Sequence, residues 1–336
     1  MKAFSLYMKD WLYGENGYYA KMPDIGKKGD FYTSVSTSMF FGGSIAKHLL
    51  ERIDGGFLSK NVAIVEIGAH RGYLLADMVQ FIFTLRPKLL ESLKFVVVEP
   101  LDAIRAAQKE YFKSCFGDGL EVDIVKDLSL IKVNEAYVVS NELFDAFPCE
   151  LIYEDKMLYI DSQRAVFGDL SSQARDLAKR YKIKKGEIAL GLEKLAKDLG
   201  ESFGRYEFIG FDYGQMDHRN DMSLRIYKNH HSYPFFELTT HGGNGDKFSD
   251  FFANSDITYD VHFSQVKDAF EQNGAKMQRF CTQMVALSEF GITDLLEILH
   301  KNVDDKTYKI ELEKAKQLIL PNFLGERFKM IKFIKA

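Results

Sequence analysis

The residues best suited to chemistry lie in a short turn that follows an apolar run of mostly β-branched residues. The run, residues 62–67, carries Glu66 next to its end, and Gly68 and Gly72 follow four residues apart. Glycines in such a turn let a ligand approach the backbone N–H groups at a helix N-terminus, where the helix dipole favours an anion. Because residues 74–79 continue in a helical pattern, this segment predicts a strand, a turn and a helix that hold a nucleotide-like ligand.

The spacing of the glycines distinguishes between two cofactors. A dinucleotide fingerprint needs glycine at positions 68, 70 and 73, where this chain has Gly68, His70 and Tyr73. The pattern acid-x-G-x-G-x-G begins S-adenosylmethionine-dependent methyltransferases of the Rossmann-like class, and residues 66–72 lack only its middle glycine. The spacing therefore favours S-adenosylmethionine, and a turn that serves only the crossover from strand to helix is the alternative.

Two further carboxylates follow predicted strands. Glu99 ends the apolar run 95–98 and precedes Pro100, which cannot continue a strand ladder. A carboxylate at this place can accept hydrogen bonds from both ribose hydroxyls of an adenosine. Asp127, after residues 122–125, is also predicted to bind the cofactor. The alternative for Glu99 is a solvated carboxylate at a strand end.

A third group, Asn141, Glu142 and Asp145, lies within five residues after a fourth apolar run. Ligands of open α/β sheets bind at the carboxyl ends of the strands, and two carboxylates suit a cationic acceptor such as a guanidinium. We therefore predict that these three residues are catalytic. The alternative is a polar turn closed by Pro148, in which Asp145 caps a short helix.

Alternating strand and helix patterns predict the elements that must position these residues. The predicted strands are residues 62–67, 95–98, 122–125, 136–139 and 208–211. Helical patterns separate the early strands, which indicates an α/β fold with a mostly parallel, doubly wound sheet.

Changes in the spacing of apolar residues also divide the chain into segments. An N-terminal helical or lid segment is predicted for residues 1–60, a core for 61–149 and 206–336, and an inserted subdomain for 150–205. The insertion is predicted to hold a hairpin and then helices, at residues 150–161, 173–182 and 188–199. Residues 241–245 are predicted to form a flexible, glycine-rich loop.

Composition restricts the class of protein. The chain has 336 residues, 46% of them hydrophobic, and can bury a sizeable core. Its 44 basic and 48 acidic residues give a net charge of −4, so charge gives no reason to expect a nucleic-acid partner. Its three cysteines share no metal-ligand spacing, which favours a reducing, cytoplasmic location without a metal. Lys2, Lys9 and Asp10 interrupt the first apolar pattern, so no signal peptide and no membrane insertion are predicted.

Taken together, the segments of the chain resemble one family, the MidA-like methyltransferases. This family includes the arginine methyltransferase that assists assembly of mitochondrial NADH dehydrogenase. The resemblance rests on nine segments in order: GYYA at Gly17, GDFYTS at Gly29 followed by FFGGSIAKHL, VEIGAHRGYLLADM at Val65, VVVEP at Val96, SNELFDAFPCE at Ser140, FDYGQ at Phe211, LRIYKNH at Leu224, DITYDVHFSQV at Asp256 and GERFKMI at Gly325.

The resemblance implies a Rossmann-like class I methyltransferase sheet and S-adenosyl-L-methionine as cofactor. It also implies methyl transfer to a protein side-chain nitrogen, with an arginine guanidinium as the candidate, while the protein substrate and homodimer formation are left open. The residues carried over by position are Gly68 and Gly72 at the methionine end of the cofactor, Glu99 at the ribose, Asn141 and Glu142 on the acceptor side, and Asp30 and Thr33 closing the pocket. Glu66, His70 and Asp127 complete the predicted cofactor site.

Two departures from the family pattern leave a second function open. Family members usually carry G-P-G-x-G in the first turn, where this chain has Ala69 and His70. They also usually carry proline and glutamate where this chain has Val35 and Ser36. The alternative is a catalytically silent assembly or binding protein that keeps the methyltransferase fold. A nicotinamide-dependent oxidoreductase is disfavoured by the missing fingerprint glycines, and a metal-dependent hydrolase by the lack of a tight histidine spacing.

Overall fold

The computed structural model describes residues 1–23, 33–239 and 247–336. Its α-helices are α1 (Phe4–Tyr13), α2 (Ser34–Thr37), α3 (Phe40–Asp54), α4 (Tyr73–Leu85), α5 (Asp102–Phe116), α6 (Ser172–Tyr181), α7 (Leu192–Ser202), α8 (Phe263–Gln272), α9 (Gln283–Glu289), α10 (Ile292–Asn302) and α11 (Asp305–Ile319). Its β-strands are β1 (Lys2–Ala3), β2 (Ala63–Ile67), β3 (Lys94–Val98), β4 (Val122–Val125), β5 (Val133–Asn141), β6 (Cys149–Tyr153), β7 (Lys156–Asp161), β8 (Arg164–Asp169), β9 (Lys185–Ala189), β10 (Phe203–Gln215), β11 (Arg225–Lys228), β12 (His231–Pro234), β13 (Asp256–Thr258), β14 (Val261–His262), β15 (Lys276–Thr282) and β16 (Phe328–Lys335). Within those three ranges, no helix is long and apolar enough to cross a membrane.

The described residues form two compact units, each made of three segments of the chain. The hairpin unit comprises the described parts of residues 1–31, 144–195 and 213–272. The sheet unit comprises the described parts of residues 32–143, 196–212 and 273–336. In this division the predicted N-terminal segment 1–60 is shared between the units, because α3 packs against α4 of the sheet unit.

The sheet unit is built on a mostly parallel sheet, which confirms the α/β prediction. Its strand order is β15-β16-β10-β5-β2-β3-β4. The pairings from β10 to β4 are parallel, and β15 pairs with β16 antiparallel. All five residues of β2 are buried, because helices cover both faces of a parallel sheet, and this is why the strand reads as a continuous apolar run.

The strand order reverses between β2 and β5. From β2 the chain adds β3 and β4 on one side, and then returns to place β5 and β10 on the other side of β2. A reversal of this kind leaves a crevice at the carboxyl ends of the two central strands, where α/β proteins bind their ligands. The residues that follow β2 and β5 therefore occupy the place where a site is expected.

The hairpin unit contains two smaller sheets and an aromatic core. One sheet has the order β1-β7-β6-β9, with β8 paired to β7, and the other has the order β12-β11-β13. The predicted hairpin at 150–161 is confirmed, since β6 and β7 pair antiparallel with Tyr153 opposite Lys156. The ring of Trp11 from α1 packs edge-on against Tyr7 and Phe252.

One helix prediction in the hairpin unit is wrong at its start. Residues 188–199 were expected to form a helix, but Ile188 and Ala189 end strand β9, which pairs antiparallel with β6. Gly191, with φ +95°, separates this strand from α7. The helix predicted at 173–182 is confirmed as α6, and the predicted loop at 241–245 lies outside the described residues.

Candidate cofactor and acceptor site

The turn after β2 has a backbone that requires its two glycines. Gly68 and Gly72 have φ values of +73° and +83°, in the left-handed region that side chains disfavour. A Cβ atom on Gly72 would also lie 2.5 Å from Cζ of Phe112, and one on Gly68 would lie 3.1 Å from Cδ1 of Leu143. His70, between them, has φ 45°, so it adopts the left-handed conformation despite its side chain.

Glu66 points from β2 to the start of α4. Its Oε2 accepts a hydrogen bond from the backbone N–H of Leu75 at 3.0 Å, in the first turn of that helix. Burial raises the pKa of Glu66 to about 8, since the carboxyl group is removed from water. The side chain thus ties the strand to the helix whose N-terminus faces the turn.

Helix α5 supports the same turn through Gln108 and Phe112, two residues that the sequence analysis did not identify. Nε2 of Gln108 donates to the carbonyl oxygen of His70 at 2.6 Å, and the Gln108 side chain is fully buried. Phe112, one helical turn further on, fills the space beside Gly72. Their spacing of four residues marks a buried helix face, but nothing in the sequence connects that face to the turn.

Glu99 lies at the carboxyl end of β3, next to β2 in the sheet. Its backbone N–H donates to the carbonyl oxygen of Val125 at 2.9 Å, and its Oε1 accepts from the N–H of Leu101 at 3.0 Å. The side chain is 5% exposed, and burial raises its pKa to about 7, against the opposing effects of the Leu101 N–H and the Arg105 charge. A buried carboxylate is therefore held at the edge where the glycine turn also lies.

Asp127 follows β4, the next strand in the same direction. Its Oδ1 accepts from the N–H of Ser129 at 2.8 Å and so caps the short 3₁₀ helix Leu128–Leu130. Neighbouring strands lie about 4.8 Å apart. The ends of β2, β3 and β4 thus form a row, in which Gly68, Glu99 and Asp127 follow successive strands.

Asn141 and Glu142 lie on the other side of the switch point, at the end of β5. Glu66 is opposite Val139 in the β2–β5 ladder, and Asn141 is the last residue of β5. Nδ2 of Asn141 donates to Oε1 of Glu142 at 2.8 Å. The Oδ1 atom of Asn141 is buried and has no hydrogen-bond partner in the described part of the chain. Glu142 has φ 51°, and its N–H donates to the Phe211 carbonyl at 2.8 Å.

Asp145, the third predicted catalytic residue, belongs to the hairpin unit, whereas Asn141 and Glu142 belong to the sheet unit. It is 3% exposed. Burial raises its pKa, while a hydrogen bond from Tyr213 lowers it. That Glu142 and Asp145 act on one acceptor stays a prediction.

The remaining predicted pocket residues are Asp30 and Thr33. Asp30 lies outside the described residues. Thr33 is the N-cap of α2 and forms a capping box with Ser36, whose backbone N–H donates to the Thr33 hydroxyl at 3.0 Å. The hydroxyl is thus engaged within its own helix start, and its contact with a cofactor stays a prediction.

Comparisons with known proteins agree with this fold. A family model described as S-adenosyl-L-methionine-dependent methyltransferase matches residues 45–281. The Xenopus laevis protein named protein arginine methyltransferase NDUFAF7, mitochondrial, is 23% identical, over 98% of this chain and 80% of its own length. Its Bos taurus counterpart is 24% identical, over 98% and 79%. A Burkholderia thailandensis crystal structure bound to S-adenosyl-homocysteine has a TM-score of 0.78 and 25% identity, over 98% of this chain and 87% of that chain.

A mostly parallel sheet with a glycine turn at its switch point is typical of Rossmann-like nucleotide-binding folds. The family match covers well over half of the chain. The chain belongs to the S-adenosyl-L-methionine-dependent methyltransferases, and S-adenosyl-L-methionine is its cofactor.

Proposed function

We propose that this methyltransferase modifies a guanidinium nitrogen of an arginine in a partner protein. The observation that carries the proposal is the Asn141 amide at the end of β5, whose Oδ1 is buried without a hydrogen-bond partner in the described residues. An N–H group of an acceptor would satisfy this atom, because a buried carbonyl oxygen without a partner is costly. The names of the curated relatives, protein arginine methyltransferase, support the same acceptor.

The residues at the edge of the sheet fit the cofactor. Gly68 and Gly72 would admit its methionine end close to the backbone, Glu99 would accept from the ribose hydroxyls, and Asp127 would face its adenosine side. The sulfonium of S-adenosyl-L-methionine supplies a methyl group that is already activated for displacement. The protein then has to align the acceptor and exclude water.

Glu142 would pair with the cationic acceptor. A guanidinium remains protonated in water, with a pKa above about 12, so it is a poor nucleophile until a proton leaves. The Asn141 Nδ2–Glu142 Oε1 hydrogen bond at 2.8 Å holds the carboxylate towards the amide. A carboxylate in this position would orient the guanidinium and would accept the proton that the nitrogen loses as it takes the methyl group, while S-adenosylhomocysteine leaves.

The test is methyl transfer from tritiated S-adenosyl-L-methionine to total cell protein, followed by acid hydrolysis and amino-acid analysis. We expect label in methylarginine. Glu142→Gln should lower the labelling at least tenfold while cofactor affinity, measured by calorimetry, stays within about twofold, because the amide keeps the shape and loses the charge. Glu154→Gln is the matched control, since Glu154 also has a positive φ (54°) but is exposed in the turn between β6 and β7.

Other outcomes would overturn the proposal. Label that appears only in methyl-lysine would show a different acceptor. A parent protein that binds the cofactor and labels nothing would favour the assembly-protein alternative. The cytoplasmic location expected from the sequence stays a prediction, since both curated relatives described above are named mitochondrial.

A further inference from the structure

The buried face of helix α5 carries one polar residue between two apolar ones. The buried residues of this helix are Ile104, Gln108 and Phe112, four positions apart. Nε2 of Gln108 donates to the His70 carbonyl at 2.6 Å, whereas its Oε1 is buried without a hydrogen-bond partner in the described residues. Because a buried amide oxygen without a partner is costly, an apolar side chain would suit this face better. The contact with the turn therefore explains the amide better than stability does.

Arg105, three residues before Gln108, holds a second segment of the chain. Its Nη1 donates to the carbonyl oxygens of Glu99 at 2.8 Å and Pro100 at 2.7 Å. Its Nη2 pairs with Asp102 on the same helix, and the Arg105 side chain is 17% exposed. Since one guanidinium holds two consecutive carbonyl groups, it fixes the direction in which the chain leaves β3, and so the place of Glu99.

These two side chains join one helix to both segments that follow β2 and β3. Residues three apart lie on the same side of a helix, and all the residues concerned belong to the sheet unit. The ladder between the two strands reaches Gly68, whose N–H donates to the Val98 carbonyl at 3.1 Å. Past that point, Gln108 holds the turn after β2, and Arg105 holds the segment after β3. Helix α5 thus determines how far apart the two segments lie.

The two segments would hold different parts of the cofactor. In the proposed arrangement, Gly68 and Gly72 admit its methionine end, and Glu99 accepts from its ribose. A single ligand bridges both segments, so a site whose segments already lie at the right separation loses less entropy on binding. Gln108 would act on the methionine end and Arg105 on the ribose, without either residue contacting the ligand.

We propose that Arg105 and Gln108 are positioning residues through which α5 sets the cofactor site, Gln108 for its methionine half and Arg105 for its ribose half. This inference rests on the cofactor contacts of the proposed function and not on its arginine acceptor. Neither residue was a candidate from the sequence, because the backbone carbonyl groups that they bind leave no trace in the residue pattern.

The first experiment compares two ligands by calorimetry. S-adenosyl-L-methionine spans both halves of the site, whereas 5′-methylthioadenosine lacks the amino-acid end. Gln108→Met should weaken binding of S-adenosyl-L-methionine by about fivefold to tenfold, the loss of one hydrogen bond, and that of 5′-methylthioadenosine by less than about twofold. Arg105→Gln should weaken both ligands by the same factor, about tenfold.

Further variants separate positioning from loss of charge and from loss of stability. Lys109→Gln, at an exposed position of α5, removes a positive charge and should leave both affinities unchanged. Arg105→Lys should recover part of the affinity that Arg105→Gln loses, because an ammonium group can still donate to a carbonyl group. Gln108→Met should unfold at the same urea concentration as the parent protein or at a higher one, because the buried amide oxygen is removed.

Other results would overturn the proposal. If Gln108→Met weakens both ligands equally, or lowers the urea midpoint together with both affinities, Gln108 is a structural residue. Gln108→Leu decides the question if Gln108→Met does not fold. Equal affinities in Arg105→Gln and Lys109→Gln would remove Arg105 from the ribose half. A parent protein that methylates no arginine would instead contradict the proposed acceptor, while the ratio of the two affinities still decides the role of α5.

Discussion

His70 and Glu142 both have a positive φ, 45° and 51°, and they follow the two strands that flank the switch point. Such a conformation costs a residue other than glycine about 1 to 3 kcal/mol. In each case a hydrogen bond with another element helps to fix the backbone: the Gln108 side chain donates to the His70 carbonyl, and the Glu142 backbone N–H donates to the Phe211 carbonyl. Strain held in this way is found where a site needs groups in fixed positions.

Glu99 gives a pH-dependent prediction for cofactor binding. Because burial raises its pKa to about 7, the carboxyl group is largely protonated at pH 6 and largely ionised at pH 8. The ionised form accepts hydrogen bonds from the ribose hydroxyls more strongly than the protonated form, because the acceptor is charged. We expect the affinity for S-adenosyl-L-methionine to rise between pH 6 and 8, and calorimetry across this range measures it.

Glu99→Gln should remove that pH dependence and weaken binding by about tenfold or more, because a hydrogen bond to a charged group contributes about 1.5 to 3 kcal/mol. The control is Glu121→Gln, at an exposed position before β4 in the same unit. If Glu99→Gln and the parent protein show the same affinity at each pH, Glu99 does not contact the ribose.

At the scale of elements, α5 shapes the turn that α4 and β2 only border. Phe112 of α5 occupies the space beside Gly72, and this contact makes a separate prediction for Gly72→Ala. An alanine there would have to keep φ +83°, and its Cβ atom would overlap the Phe112 ring. We expect a loss of stability of about 2 to 5 kcal/mol from left-handed strain and overpacking together, measured by urea unfolding.

Gly56→Ala separates the two causes. Gly56 has φ +72°, but a Cβ atom there would meet nothing within 4 Å, so this variant should lose only about 1 to 2 kcal/mol. Gly72→Ala should also weaken cofactor binding, because displacing Phe112 moves the backbone of the turn. Equal losses of stability in the two variants would mean that α5 can shift away from the new Cβ atom without loss of free energy. In that case α5 does not define the turn.

The elements of the sheet could be predicted from the sequence, and the supports of the site could not. Strands β2, β3 and β5 are largely buried, so each leaves an apolar run, and Glu66 and Glu99 are visible beside those runs. Gln108 leaves no such signal, because its partner, His70, lies far away along the chain. The start of α7 was missed for a related reason, since the pairing of β9 with β6 overrides the local helical pattern.

For the whole molecule, buried ionisable groups predict how stability depends on pH. Burial raises the pKa of Glu66 to about 8, and those of Glu99 and Glu187 to about 7. A carboxyl group whose folded pKa is raised binds more protons in the folded state, so its contribution to stability is lost as pH rises through that pKa. Burial lowers the pKa values of His48 and His262 to about 3, and their contribution is lost only as pH falls below about 6.5.

Between pH 6.5 and 8 these carboxyl groups therefore determine how the free energy of unfolding changes with pH. We expect the free energy of unfolding of the cofactor-free protein to fall by about 1 kcal/mol or more per pH unit, the slope of one such group. Urea unfolding at several pH values measures it. Glu187→Gln should reduce the slope, and Glu193→Gln, on α7, should not. A free energy that is constant or rises over this range would contradict the prediction.

Strand β16 comes last among the strands of the main sheet, yet it lies between β10 and β15. On the ribosome, β10 is complete at Gln215, whereas β16 begins only at Phe328. Throughout that interval the nascent chain carries an open strand edge with unpaired backbone groups, which can pair with another chain. We therefore expect production of the protein to depend on translation through β16, and a chain that stops shortly before Phe328 to aggregate instead of forming a smaller enzyme.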